Sequence, residues 1–135
     1  MRLLLDTHAL LWFLDGDNQL APRTAGMISD PANDVFVSSV SLWEITVKIR
    51  IGKLAANLLQ IVNAISPSGF RLLNLKPEHL LELERLPLFA DHKDPFDHLL
   101  MAQAIAENLT FISNDRNTHR YPVTHMTCSD QTGTA

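Results

Sequence analysis

Short apolar runs alternate with stretches of helical period along this chain, and that alternation narrows its architecture more than any other feature. Residues 2–6, 35–38, 70–75 and 110–113 read as strands, with 123–127 a candidate fifth. Helical segments separate them. Leu10, Leu11, Phe13 and Leu14 mark the apolar side of a first helix, closed by the turn residues Asp15-Gly16-Asp17-Asn18. Pro22 opens a second over residues 22–29. A third, over 41–50, carries Leu42, Ile45 and Ile49 on one face and ends at Gly52. A fourth, over 57–66, spaces Leu58, Ile61, Val62 and Ile65 by threes and fours, and Pro77 starts a fifth with Leu80, Leu83 and Leu86. Asp94-Pro95 begins a sixth that runs to about Asn108. This order predicts an α/β fold, a parallel sheet of four to five strands covered on both faces. Two places are less regular: residues 40–66 hold successive helices with no strand between, and Leu88-Phe89-Ala90 forms a loop placed to line a cleft.

Acids stand at four of the junctions. Asp6 closes the first strand, Glu44 and Asp97 each fall in the first turn of a predicted helix, and Asp115 follows Phe111-Ile112. In a parallel sheet these junctions share one edge, outside the carboxyl ends of the strands. Each acid alone has a capping explanation. Asp94, Pro95 and Asp97 make a good helix start, Ser41-Leu42-Trp43-Glu44 fits a capping box, Asp6-Thr7 caps the first helix, and Asp115 makes a turn. Yet Ser, Thr and Asn cap as well as Asp does, whereas Mg²⁺ selects carboxylates. Four carboxylates at one edge repel one another unless a hard cation holds them. A carboxylate-bound Mg²⁺ or Mn²⁺ is a common tool for phosphodiester hydrolysis. Thr7, Ser38, Ser113 and Asn114 supply small polar groups at the same edge. Lys48, Arg50, Lys53 and Arg116 are candidates for phosphate contact, although a solvated helix face accounts equally well for the first three.

The bulk properties exclude other classes. A chain of 135 residues makes one domain, expected over residues 1–128, with the small polar stretch 129–135 as a frayed tail. No apolar run reaches the ~18 residues of a membrane span. Asp6, His8 and Asp15 break the apolar start, which reads as a buried strand rather than a signal peptide, so the protein is expected in the cytoplasm. Cys128 is the only cysteine, so no internal disulfide forms. His92 and His98, like His119 and His125, lack zinc-site helix spacing and read as surface or satisfied polar groups. A net charge of −4 argues against a broad, non-specific nucleic-acid binder but suits an enzyme that meets phosphate through metal.

Four segments together resemble the PIN-domain nucleases, in particular the VapC-like toxins of type II toxin–antitoxin pairs. They are Leu3-Leu4-Leu5-Asp6-Thr7-His8-Ala9-Leu10-Leu11-Trp12; Ser41-Leu42-Trp43-Glu44-Ile45 with Lys48, Gly52, Lys53 and Leu54; residues 92–104, centred on Asp94-Pro95-Phe96-Asp97; and Ser113-Asn114-Asp115-Arg116. The resemblance spans about residues 1–125. It implies a Rossmann-like α/β/α sandwich and a Mg²⁺- or Mn²⁺-dependent endoribonuclease. Asp6, Glu44, Asp97 and Asp115 match the family's acidic quartet, which is both the catalytic and the metal-binding set. Asp94 matches an extra acid, and His98 stands where many members have Arg. The resemblance further implies an RNA substrate, a cognate antitoxin that lays an amphipathic segment over the cleft, and a homodimer; Trp43, beside the predicted site, is a candidate anchor.

On this reading Asp6 and Asp97 hold the principal ion, while Asp115 and Glu44 act through water or place a second one. Two rivals remain at the level of sequence. One is a phospho-accepting receiver domain, although Asp6 is followed by Thr7 and no Lys lies beyond Lys93. The other is a PIN-like module that binds RNA or protein without cleaving.

Overall fold

The structure, a computed structural model, describes residues 1–129, so the predicted tail falls almost wholly outside the described residues. Five strands form one parallel sheet: β1 (Arg2–Leu5), β2 (Asp34–Ser38), β3 (Arg71–Leu73), β4 (Thr110–Ile112) and β5 (His125–Met126), in the spatial order β3-β2-β1-β4-β5. The helices are α1 (Thr7–Asp15), α2 (Pro22–Ser29), α3 (Ser39–Arg50), α4 (Leu58–Ile65), α5 (Pro77–Arg85) and α6 (Pro95–Ala106), with a short 3-10 turn at Thr118–Arg120. The predicted α/β sandwich and the successive helices within residues 40–66 are present, and strand three is shorter than the sequence implied.

Alternation along β1 builds two cores. Leu3 and Leu5 point to one face, where they pack with Val35, Val37, Leu10, Ile45, Ile61 and Ile65. Leu4 points to the other, against Leu100, Met101, Leu99 and Phe111. All three leucines of β1 are fully buried, each stabilising the fold by about 2 kcal/mol. A run without polar residues is what a strand covered on both faces requires.

Two helices differ in detail from expectation. Ser38, not Ser41, caps α3: its hydroxyl accepts the Val40 N–H at 2.9 Å, so β2 turns into the helix with no intervening loop. Glu44 therefore lies in the second turn of α3, and Ser41 is a buried interior residue rather than half of a capping box. In α5, Leu80 and Leu81 are exposed, Leu83 and the adjoining Leu86 pack inward as expected, and His79 is buried beside them. That ring meets Glu107 Oε2 at 2.7 Å and accepts the Lys76 N–H at 3.0 Å, so a polar residue plugs the helix into α6.

The strand order places the site. Sequence order runs outward from β1 in both directions, to β2 and β3 on one side and to β4 and β5 on the other. The connections after β1 and β4 diverge there and open a crevice at the carboxyl ends of the strands.

Candidate metal centre

Local backbone geometry delivers each acid to that crevice. Asp6 follows β1 directly and caps α1, accepting the Ala9 N–H at 2.7 Å. Asp115 follows β4; its N–H donates to Ser113 Oγ at 3.1 Å and its carboxylate accepts from Asn117 N at 2.8 Å, which fixes the turn. Asp94 caps α6 through the Phe96 N–H at 2.9 Å, and this holds Asp97 in the first turn. Glu44 reaches in from α3 and is buried. Thr7 donates its hydroxyl to Glu44 Oε1 at 2.6 Å, while Lys48 Nζ sits 2.7 Å from Oε2. Asp6, Glu44, Asp94, Asp97 and Asp115 line a single cleft of about 370 Å³, together with Thr7, His8, Trp12 and Asn114. All four predicted acids are thus brought together. The 88–90 loop does not line this cleft; Phe89 instead packs edge-on against Tyr121.

The family model of the PIN domain matches residues 3–123. The chain belongs to the PIN-domain family. Solved structures with the same fold include VapBC2 from Rickettsia felis bound to a promoter DNA fragment, at 18% identity and a TM-score of 0.71, covering 94% of this chain and 98% of that one. DNA-bound VapBC from Salmonella typhimurium follows at 14% and 0.65, with 96% and 99% covered. VapBC-1 from nontypeable Haemophilus influenzae stands at 16% and 0.65, with 95% and 98% covered. No curated protein sequence matches the chain.

The carboxylates of this PIN domain are not in the same electrostatic condition. Burial pushes Asp6 up to about 6, an effect offset in part by the Ala9 N–H and the Ser113 hydroxyl and reinforced by Glu44. Burial also pushes Asp97 up to about 8, with Asp94, Asp115 and Asp6 adding repulsion. Burial alone would raise Asp115 as well, but the Asn117 N–H and a hydrogen bond with Asp97 hold it below the usual range. Asp97 and Asp115 therefore titrate as an interacting pair, Asp97 shifted up and Asp115 shifted down. Lys48 is shifted upward, chiefly by its hydrogen bond to Glu44.

One residue of the site was missed. His92 is buried rather than exposed, and its Nε2 lies 3.3 Å from Asp115 Oδ2 and 3.6 Å from Asp97 Oδ2. That nitrogen has no hydrogen-bond partner. The only hint in the sequence is its place two residues before Asp94; its orientation depends on Tyr121, which is distant along the chain.

This donor set fits a divalent cation. Carboxylates driven toward protonation by mutual repulsion, beside a buried nitrogen without a partner, form a cavity whose charge is incomplete until a cation enters. Among the described residues, His92, Asp97 and Asp115 place one donor atom each within 4.8 Å of one another. The flanking basic residues contribute less than their number implied. Lys48 is committed to Glu44, and Arg50, Lys53 and Arg116 are exposed outside the cleft lining.

Proposed function

We propose that this PIN domain is a VapC-like toxin, a metal-dependent endoribonuclease that hydrolyses RNA phosphodiester bonds and is held in check by a cognate antitoxin. The observation that carries the reading is the convergence of Asp6, Glu44, Asp97 and Asp115 on one cleft at the switch point of the sheet. The family is made up largely of nucleases, and membership in it removes the receiver-domain alternative. The neighbouring folds come from complexes whose descriptions name VapBC pairs, which supports an antitoxin partner.

Asp6, Asp97 and Asp115 would hold Mg²⁺ or Mn²⁺. When bound, such an ion lowers the pKa of water and stabilises charge on a phosphoryl oxygen. The residues around it then divide the work. Thr7 and Lys48 fix the Glu44 carboxylate at the back of the cleft. With a cation bound the pair would be fully ionised, and a cleft carboxylate would accept the proton of the attacking water as the bond from phosphorus to the leaving oxygen breaks. Asn114, exposed at the rim, is positioned to donate to a substrate oxygen. His8 and Trp12 stack with ring centroids 5.6 Å apart on the cleft wall, a platform for an unpaired base. No ribose hydroxyl is needed as nucleophile, so a preference for RNA arises from such contacts rather than from the chemistry.

Trp43 is 58% exposed and packs edge-on against Phe96 at 4.8 Å, at the helix start that carries Asp97. It is a fitting anchor for an antitoxin segment that covers the cleft. Homodimerisation and a cytoplasmic location belong to the same reading; no helix among the described residues is long and apolar enough to cross a membrane.

The test is RNA cleavage by the purified chain, with and without Mn²⁺ or Mg²⁺. Metal-dependent cleavage that disappears in Asp97→Asn supports the proposal. A cleanly folded, metal-loaded chain that leaves structured and single-stranded RNA intact overturns it in favour of a binding module.

A further inference from the structure

Nothing in the carboxylate quartet accounts for His92. Its ring is more than nine-tenths buried, behind the Asp97–Asp115 pair. Nε2 is aimed at both carboxylates yet makes no hydrogen bond to either, so an N–H there would be wasted. Nδ1 is well partnered, 2.7 Å from Tyr121 Oη, and that oxygen lies 3.2 Å from His98 Nε2. A tyrosine hydroxyl has one proton and can donate it to only one of the two rings. When Tyr121 donates to His98, His92 donates Nδ1–H to Tyr121 and presents a lone pair on Nε2 toward Asp97 and Asp115. That is the tautomer of a metal-ligating histidine, with the second nitrogen anchored by an outer partner.

The separations agree. Two donors that share one ion at about 2.1 Å sit about 3.0–3.5 Å from each other in octahedral or tetrahedral coordination. His92 Nε2 lies 3.3 Å from Asp115 and 3.6 Å from Asp97. We propose that His92 ligates a divalent cation together with Asp97 and Asp115, and that this nitrogen donor biases the cleft toward Mn²⁺ or another transition ion over Mg²⁺. Mg²⁺ is held almost entirely by oxygen, whereas imidazole suits transition ions. Tyr121 is then a positioning residue. This inference rests on the metal-dependent reading of the cleft and adds a ligand to it.

The test is pulsed EPR of the full chain loaded with Mn²⁺, which reads directly whether a ¹⁴N nucleus is bonded to the ion, combined with calorimetric titration of Mn²⁺ and Mg²⁺. The wild-type chain should show histidine ¹⁴N coupling. His8 also lines the cleft, so His8→Ala is the control and should retain the coupling. His92→Gln should lose it, with Mn²⁺ affinity falling roughly tenfold or more and Mg²⁺ affinity changing less. Tyr121→Phe should keep the coupling and weaken Mn²⁺ binding by about tenfold. If His92→Gln does not fold, the wild type and His8→Ala decide between them. Bound Mn²⁺ without ¹⁴N coupling, or coupling that vanishes in His8→Ala, overturns the role of His92 and leaves the carboxylate site standing. Failure to bind any Mn²⁺ overturns both.

Discussion

On the flank built by α1 and α3, Glu44 is buried between the Thr7 hydroxyl and the Lys48 ammonium, and both of its oxygens are occupied. On the flank built by α6 and the β4 turn, burial and neighbouring acids push Asp97 up beside Asp115, in front of a histidine nitrogen with no hydrogen-bond partner. Asp6 stands between them, half committed to its helix cap and raised by burial. Both flanks carry carboxylates, but the first is satisfied by the protein and the second is not. A buried charge the chain does not compensate is the mark of a site awaiting a ligand. On the proposed metal-dependent reading the cation would sit on the second flank, and Glu44 would serve as a fixed wall.

The largest expected effect comes from removing charge on the uncompensated side. Asp97→Asn should lower RNA cleavage by on the order of 10²–10³-fold or more, while the cation-free protein melts at a higher temperature than wild type because the folded state no longer has to hold a proton that the unfolded carboxyl releases. A variant that loses stability as well as activity would mean that Asp97 is a structural residue, and the contrast between the flanks would fail.

The pH dependence of the cation-free chain sharpens the same contrast. Folded Asp97 keeps its proton up to about 8, whereas the unfolded carboxyl releases it near 3.8. Between these values the folded state binds more protons, so stability falls as pH rises toward 8. His98 opposes this below 6.5, because burial lowers its pKa and the unfolded state takes up the proton there. Thermal melts between pH 6.5 and 8 in chelator should therefore show Tm falling by several degrees, and added Mn²⁺ should cancel the fall. A flat profile, or the same slope in Asp97→Asn, would place the titration elsewhere.

Lys48→Met tests the satisfied side. It strips Glu44 of its counter-ion and should destabilise the cation-free fold by about 1–2 kcal/mol, a modest figure because the lysine is partly exposed. Mn²⁺ affinity should rise, since the wall now carries free charge; an unchanged affinity would show that Glu44 does not feel the ion. The smallest effect is expected for Thr7→Val, which removes the 2.6 Å donor to Glu44 at nearly constant volume and should cost about 1 kcal/mol in chemical denaturation. A loss several times larger would show that Thr7 supports more of the fold than this one hydrogen bond.

The parts of this molecule that depend on period and chain order were readable from its sequence. β1 shows itself as Leu3-Leu4-Leu5 because a strand buried on both faces has no polar side, and α6 shows itself at Asp94-Pro95 because that pair starts helices. The convergence of the acids also followed, since parallel topology sends every strand end to one edge. The unreadable parts depend on contacts between distant segments. Ser38 displaced Ser41 as the cap of α3 because the strand turns directly into the helix. His79 is buried beside the inward leucines because Glu107 and Gln103 on the α6 side meet its ring. His92 read as a surface or satisfied polar group, and only its contact with Tyr121, far along the chain, places it behind the acids with one nitrogen unpartnered. Nor did the sequence distinguish a carboxylate with a lysine one turn away from carboxylates facing each other.

The central claim is that the acidic cleft is completed by a divalent cation on the Asp97–Asp115 side, and calorimetric titration of Mn²⁺ into the chelator-stripped chain at pH 8 tests it most directly. Saturable binding that releases protons, persists in Thr7→Val and disappears in Asp97→Asn is the predicted result. The absence of binding, or binding that Asp97→Asn leaves unchanged, would contradict it.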